Sequence, residues 1–157
     1  MNEKLLPEID LTGYCKEKYL VRMGNYEIKE INGQTYAVRR KFPKTFEDCL
    51  EVLGLTGDSI LDTTVENGTK MYGSELWELY KLLICRDAYW KLCGDWKPDW
   101  KNMYQDRWSI HVYCGDVYKS EIKKEQCNFI LVFPTEEARD IFYDNFKSDI
   151  EYIKELL

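Results

Sequence analysis

The chain has 157 residues, 22 of them basic and 28 acidic, for a net charge of -6, and 15% of it is aromatic. That length suits a single domain with an ordinary core that needs no disulfide or metal support, and the negative balance argues against non-specific DNA or anionic-membrane binding, which need a positive field. The six cysteines are scattered, no signal-peptide pattern opens the chain and no run nears the roughly 20 apolar residues of a membrane span, so the expectation is a reduced cytoplasmic protein with no membrane attachment.

Residues 1–25 carry mixed polarity and three turn signals, Pro7, Gly13 and Gly24, which predict a loosely attached arm with one strand around Tyr19 to Arg22. Over 26–41 the Asn32-Gly33 pair lies between two alternating segments, a strong hairpin signal because both turn residues tolerate positive φ. Ile28 and Ala37 or Val38 are candidates for its inner face. A helical and strand core then fills 42–157. It opens with a short helix that Thr45 caps and Asp48 completes, with Phe46, Cys49, Leu50 and Leu53 inward and Gly54 as the stop. Residues 55–73 are polar and read as a long loop, with a brief extended piece around Ile60 to Val65.

The stretch from Ser74 to Trp100 is the centre of the prediction. Leu76, Tyr80, Leu83, Ile84, Ala88 and Leu92 recur at helical steps, and Trp77, Leu79, Leu82, Cys85 and Trp90 widen that stripe until little polar face remains. Such a helix belongs in the middle of the molecule. Ser74 is its expected N-cap and Gly94 its expected left-handed stop, with Pro98 beyond. Strands follow: Trp108, Ile110, Val112 and Cys114 on one face, Ser109, His111 and Tyr113 on the other, a turn at Gly115-Asp116, a polar strand from Val117 to Lys123, and a central apolar strand from Asn128 to Phe133. Thr135, Glu136 and Glu137 start a last helix whose stripe is Ala138, Ile141, Phe142, Phe146, Ile150, Ile153 and Leu157. The fold class is α+β, an antiparallel sheet packed against a long central helix and a C-terminal helix, with the N-terminal hairpin a possible extension of the sheet.

Tests for chemistry return little. His111 is the only histidine, and it shares a strand with Cys114 at an offset that places the two on opposite faces. No Cys-x-x-Cys occurs, which argues against structural zinc. Cys85 sits in an apolar helix and reads as a small core residue, since a nucleophilic thiolate needs a positive neighbourhood. No phosphate cradle or catalytic elbow is present, so no catalytic residue, metal or cofactor is assigned. The exit from the central helix is the distinctive feature. Trp96, Lys97, Asp99, Trp100 and Tyr104 are the nominated binding residues, with Pro98 stiffening the backbone between the indoles. Two arrangements stay open: an exposed aromatic cleft shared with Trp108, or indoles folded back over the end of the helix.

Three stretches together resemble a set of small proteins of gut Bacteroidales phages and prophages: Leu82 to Trp90, the Trp96-Lys97-Pro98-Asp99-Trp100 loop, and Phe133-Pro134-Thr135-Glu136-Glu137-Ala138. The resemblance spans roughly residues 42 to 157. It implies a phage or mobile-element context, nothing catalytic, and no functional residues to carry over. The expected function is accordingly that of a non-enzymatic accessory protein that binds an unidentified host or phage protein and self-associates through its aromatic surface. Nucleic-acid binding, using basic residues such as Arg39, Arg40, Lys119 and Lys123, is the second expectation. Binding of a small ligand or nucleotide against host defence is the third.

Overall fold

A computed structural model of the chain describes residues 26–31, 34–57, 74–102, 104–122 and 129–157. The expected arm at 1–25, the Asn32-Gly33 turn and the extended piece at 60–65 lie outside the described residues. Contacts gather into two units, Met1–Lys41 and Phe42–Leu157, dividing where the hairpin was expected to give way to the core.

In the first unit β1 (Tyr26–Ile31) pairs antiparallel with β2 (Gln34–Arg39), and Ile28 stands opposite Ala37. Ile31 opposite Gln34 leaves two residues for the turn, the spacing that the Asn-Gly pair predicts. The hairpin forms a two-stranded sheet.

The second unit is α+β. It opens with α1 (Phe46–Leu53), where Asp48 N–H donates to Thr45 Oγ1 at 3.1 Å and the Asp48 carboxylate accepts from Thr45 N–H at 3.2 Å, the reciprocal capping box. Gly54 ends it at φ 71°. The long helix α2 (Ser74–Leu92) packs on α1 and on the elements that follow. Ser74 is the first described residue of this helix, and the residues before it lie outside the described residues.

The sheet of this unit is antiparallel and runs β4 (Asp116–Glu121), β3 (Trp108–Tyr113), β5 (Leu131–Phe133). Here three expectations are corrected. The polar strand ends at Glu121 instead of Lys123, and Cys114 lies in the turn: Cys114 and Gly115 have φ of 52° and 84°, the pair of positive values a two-residue hairpin turn requires. The apolar strand β5 was expected in the centre, yet β3 holds that place and β5 is an edge among the described residues. All three β5 residues are nevertheless buried, because helices cover what a second strand would have covered.

The C-terminal helix α3 (Glu136–Tyr152) starts as predicted, with Ala138 N–H donating to Thr135 Oγ1 at 3.1 Å, and lies across β3, β4 and β5. Its backbone leaves helical geometry at Phe146. A single 3₁₀ turn, Lys154–Leu156, follows.

The core is centred on Tyr89, which sequence periodicity did not single out. Its ring stacks on Phe42 at 4.7 Å and meets Phe133, Phe142 and Phe146 edge-on at 6.2, 5.0 and 6.4 Å. Such pairs add about 0.5–1.5 kcal/mol each beyond the area they bury. The phenol donates to the Pro43 carbonyl at 2.9 Å and accepts from Asn145 Nδ2 at 3.0 Å, so the polar end of this ring is satisfied in the interior. Burial pushes the Tyr89 phenol up from its ordinary value, and it stays protonated. The predicted buried stripe of α2 holds for Leu82, Ile84, Cys85 and Ala88. It fails in the first turns, where Leu76 is 51% and Tyr80 41% exposed. The periodicity there is apolar without being inward.

Candidate functional site

The site is built where α2 ends. Gly94 and Asp95 both take positive φ, 80° and 55°, and turn the chain sharply out of the helix. Trp96 N–H then donates to the Trp90 carbonyl at 3.1 Å, and the Trp96 ring lies edge-on against Trp90 at 5.7 Å. Trp90 in turn is fixed twice. Its indole N–H donates to the Val132 carbonyl on β5 at 2.6 Å, and the Arg86 guanidinium covers its ring at 4.1 Å.

Beyond Trp96 the loop fastens itself with its own side chains. Gln105 spans it from inside, accepting from Asp99 N–H at 2.6 Å and donating to the Lys97 carbonyl at 3.0 Å. The Asp99 carboxylate accepts from Lys101 N–H at 3.0 Å, and Asn102 Oδ1 accepts from Tyr104 N–H at 3.0 Å, two local turns of the kind Asp and Asn favour. Asn102 N–H also donates to the Asp99 carbonyl at 3.1 Å. Underneath, Arg107 donates to that same carbonyl at 3.2 Å and lies 5.3 Å from the Trp100 ring centre. Beyond this loop Ile122 N–H donates to the Arg107 carbonyl at 2.8 Å, which carries the pairing of β3 with β4 past its end.

The nominated residues are thus separated by role. Lys97 and Asp99 are exposed; Trp96 and Trp100 are half-buried, each against a different partner; Tyr104 is 89% exposed. Trp96, Trp100 and Tyr104 make no ring pair with one another among the described residues, and Trp108 faces α3, its ring 5.2 Å from the Arg139 guanidinium. Of the two arrangements left open, the half-buried indoles are nearer to folding back, and the exposed ring is the tyrosine. Sequence reasoning missed Gln105, Arg107 and the Arg86–Trp90 pair. Arg107 had a signal, since it continues the alternation of Ser109 and His111 one step before the strand.

Two other places hold titratable groups. On the sheet face opposite α3, His111 stacks between Phe129 at 4.5 Å and Tyr118 at 6.1 Å, with Ser109 Oγ 3.2 Å from its Nδ1. Burial lowers the His111 pKa, and Ser109 is wholly enclosed, so this serine is withheld from substrate. Between α1, α2 and α3 lies an open pocket of about 260 Å³ lined by Lys44, Glu78, Lys81, Cys85, Asn145 and Asp149. The Cys85 thiol is pushed strongly up by its contact with Cys49 and by burial, which leaves it a thiol and a core residue, as expected. Burial, with the charge of Glu78, raises Asp149. Among the described residues no group of His, Cys, Asp and Glu side chains is placed to hold a metal ion.

No family model, curated protein or solved structure significantly matches the chain.

Proposed function

We propose that this chain is a non-enzymatic accessory protein of a phage or mobile element, acting in the host cytoplasm by binding a host or phage protein through the loop at 94–107. One observation carries the reading: Tyr104 stands 89% exposed on a loop whose backbone is already hydrogen-bonded into shape by Gln105, Asp99 and Asn102. A tyrosine offers a large amphipathic contact at low entropic cost, and a loop ordered beforehand avoids the ordering cost of association. No described helix is long and apolar enough to cross a membrane.

The ring column Phe129–His111–Tyr118 supports a second reading, nucleic-acid binding, because single-stranded bases stack on aromatic sheet faces. The net charge of -6 weighs against it.

Capture from phage-infected cells with wild type and Tyr104→Ala decides between them. A protein held by wild type and lost by the variant is the expected result, and equal recovery by both contradicts the assignment. Salt-sensitive retention on single-stranded DNA, abolished by His111→Ala, moves the function to the second reading.

A further inference from the structure

Arg107 is 0% exposed and its guanidinium is answered on one side only. Nη1 donates to the Asp99 carbonyl and the Trp100 ring lies nearby, while Nε and Nη2 have no hydrogen-bond partner among the described residues. The contrast with the other buried arginine is direct. Arg139, 4% exposed, places Nε on Asp140 at 3.0 Å and Nη2 on Glu136 at 3.1 Å and on Asp140 at 2.9 Å.

The identity of the two unmet donors is informative. Nε–H and one Nη2–H leave the same edge of the planar group in parallel, and that edge is the fork that engages two oxygens of a carboxylate or phosphate at once. A buried cation without a counter-charge is costly to hold, so a fork fixed by Asp99 and enclosed beside Trp100 calls for an oxyanion. We propose that the Nε–Nη2 edge of Arg107 is an oxyanion receptor at the base of the tryptophan loop, filled by the carboxylate or phosphate group of a ligand. The Trp100 side chain, half-buried beside the guanidinium, gives ground as the group enters. The assignment stands independently of Tyr104, since an anion occupies Arg107 whether or not a protein meets the loop tip.

The test follows the arginine Nε–H resonances of the wild-type protein by NMR, titrated separately with sodium acetate and sodium phosphate against sodium chloride at matched ionic strength. The Arg107 signal is assigned through its own side-chain protons and cross-checked by its loss in Arg107→Lys. A saturable shift of that signal alone is expected, with acetate identifying a carboxylate site, phosphate a phosphate site, and both a general oxyanion site. No shift beyond the chloride control in either arm overturns the proposal. A second readout is the melting temperature: the same anion should raise it in wild type and lose that effect in Arg107→Gln, and an equal rise in both proteins also overturns it.

Discussion

The guanidinium of Arg86 lies 4.1 Å over the indole of Trp90, and the two side chains donate to alternate carbonyls of one sheet edge, Ile130 at 2.8 Å and Val132 at 2.6 Å. The fit has a geometric origin. Residues four apart on a helix are separated by about 6 Å of rise, and alternate residues on a strand by about 6.6 Å, so one helical turn matches one strand repeat. An edge strand normally leaves these carbonyls to water or to another chain. Here α2 occupies that side, with Asp87 bracing Arg86 at 2.7 Å.

Trp90→Phe should therefore cost more than its volume suggests. It keeps a ring under Arg86 but leaves the Val132 carbonyl without its donor, a loss of about 1–3 kcal/mol for a part-buried acceptor. Urea unfolding checks this: the midpoint should fall with the slope unchanged, and an unaltered midpoint would show that water replaces the indole.

Tyr89→Phe isolates the polar end of the core. The ring contacts survive, whereas the bond to Pro43 and the one from Asn145 are both lost, so stability should fall by about 1 kcal/mol. Asn145 also donates to the Pro43 carbonyl at 3.2 Å, which limits the damage. Pairing the change with Asn145→Ala in a double-mutant cycle should give clear non-additivity.

Stability should respond to acid in two opposed ways. Hydrogen bonds from Lys44 N–H and the Thr45 side chain hold Asp48 below its ordinary value, and at Asp140 the bonds from Lys119 and Arg139 outweigh an upward push from burial. These depressed carboxylates stabilise the fold above the unfolded-state value of about 3.9, and that contribution is lost as pH falls through their lowered values. Asp149 is raised, so its contribution is present at low pH and is lost as pH rises through its folded value. Asp149→Asn should accordingly raise the unfolding midpoint at neutral pH and give no gain in acid. A gain independent of pH would show that its charge is not the cause.

Thiol labelling should rank the cysteines by enclosure. Cys114 is exposed in its turn and should react at once; Cys49 and Cys85, at 0% and 1% exposure, should be modified only as the protein unfolds. Peptide mapping after timed alkylation separates these sites from the rest, and early modification of Cys85 would contradict its place in the core.

What was legible in the sequence is what is decided locally. Thr45 with Asp48, Thr135 before two acids, Gly54 and Gly94 at positive φ, and two residues between Ile31 and Gln34 all depend on neighbours a few positions away. The larger failures involve distant partners. Tyr89 becomes the centre of the core because Phe42, Phe133 and Phe142 converge on it, and β5 is apolar on both faces because helices, not strands, cover its far side. The site was legible in part for the same reason. Its composition marked the loop, but Trp96 and Trp100 proved to be its footing on Trp90 and beside Arg107, and the residue that shapes it, Gln105, has an unremarkable side chain in sequence.

Tyr104→Ala should leave the fold intact, within about 0.5 kcal/mol of wild type, as exposed substitutions usually do. Gln105→Ala should likewise preserve the core while freeing the Lys97 carbonyl and Asp99 N–H, so it separates loop order from global stability.

A loop held ready by its own hydrogen bonds is the claim on which the proposed binding function depends, and backbone ¹⁵N relaxation tests it directly. In the free wild-type protein the amides of Asp99, Lys101, Asn102, Tyr104 and Gln105 should show order parameters near the rigid value of about 0.85, falling in Gln105→Ala. Values below about 0.6 in wild type would mean that the loop is loose before any partner arrives, and the account would be wrong at its centre.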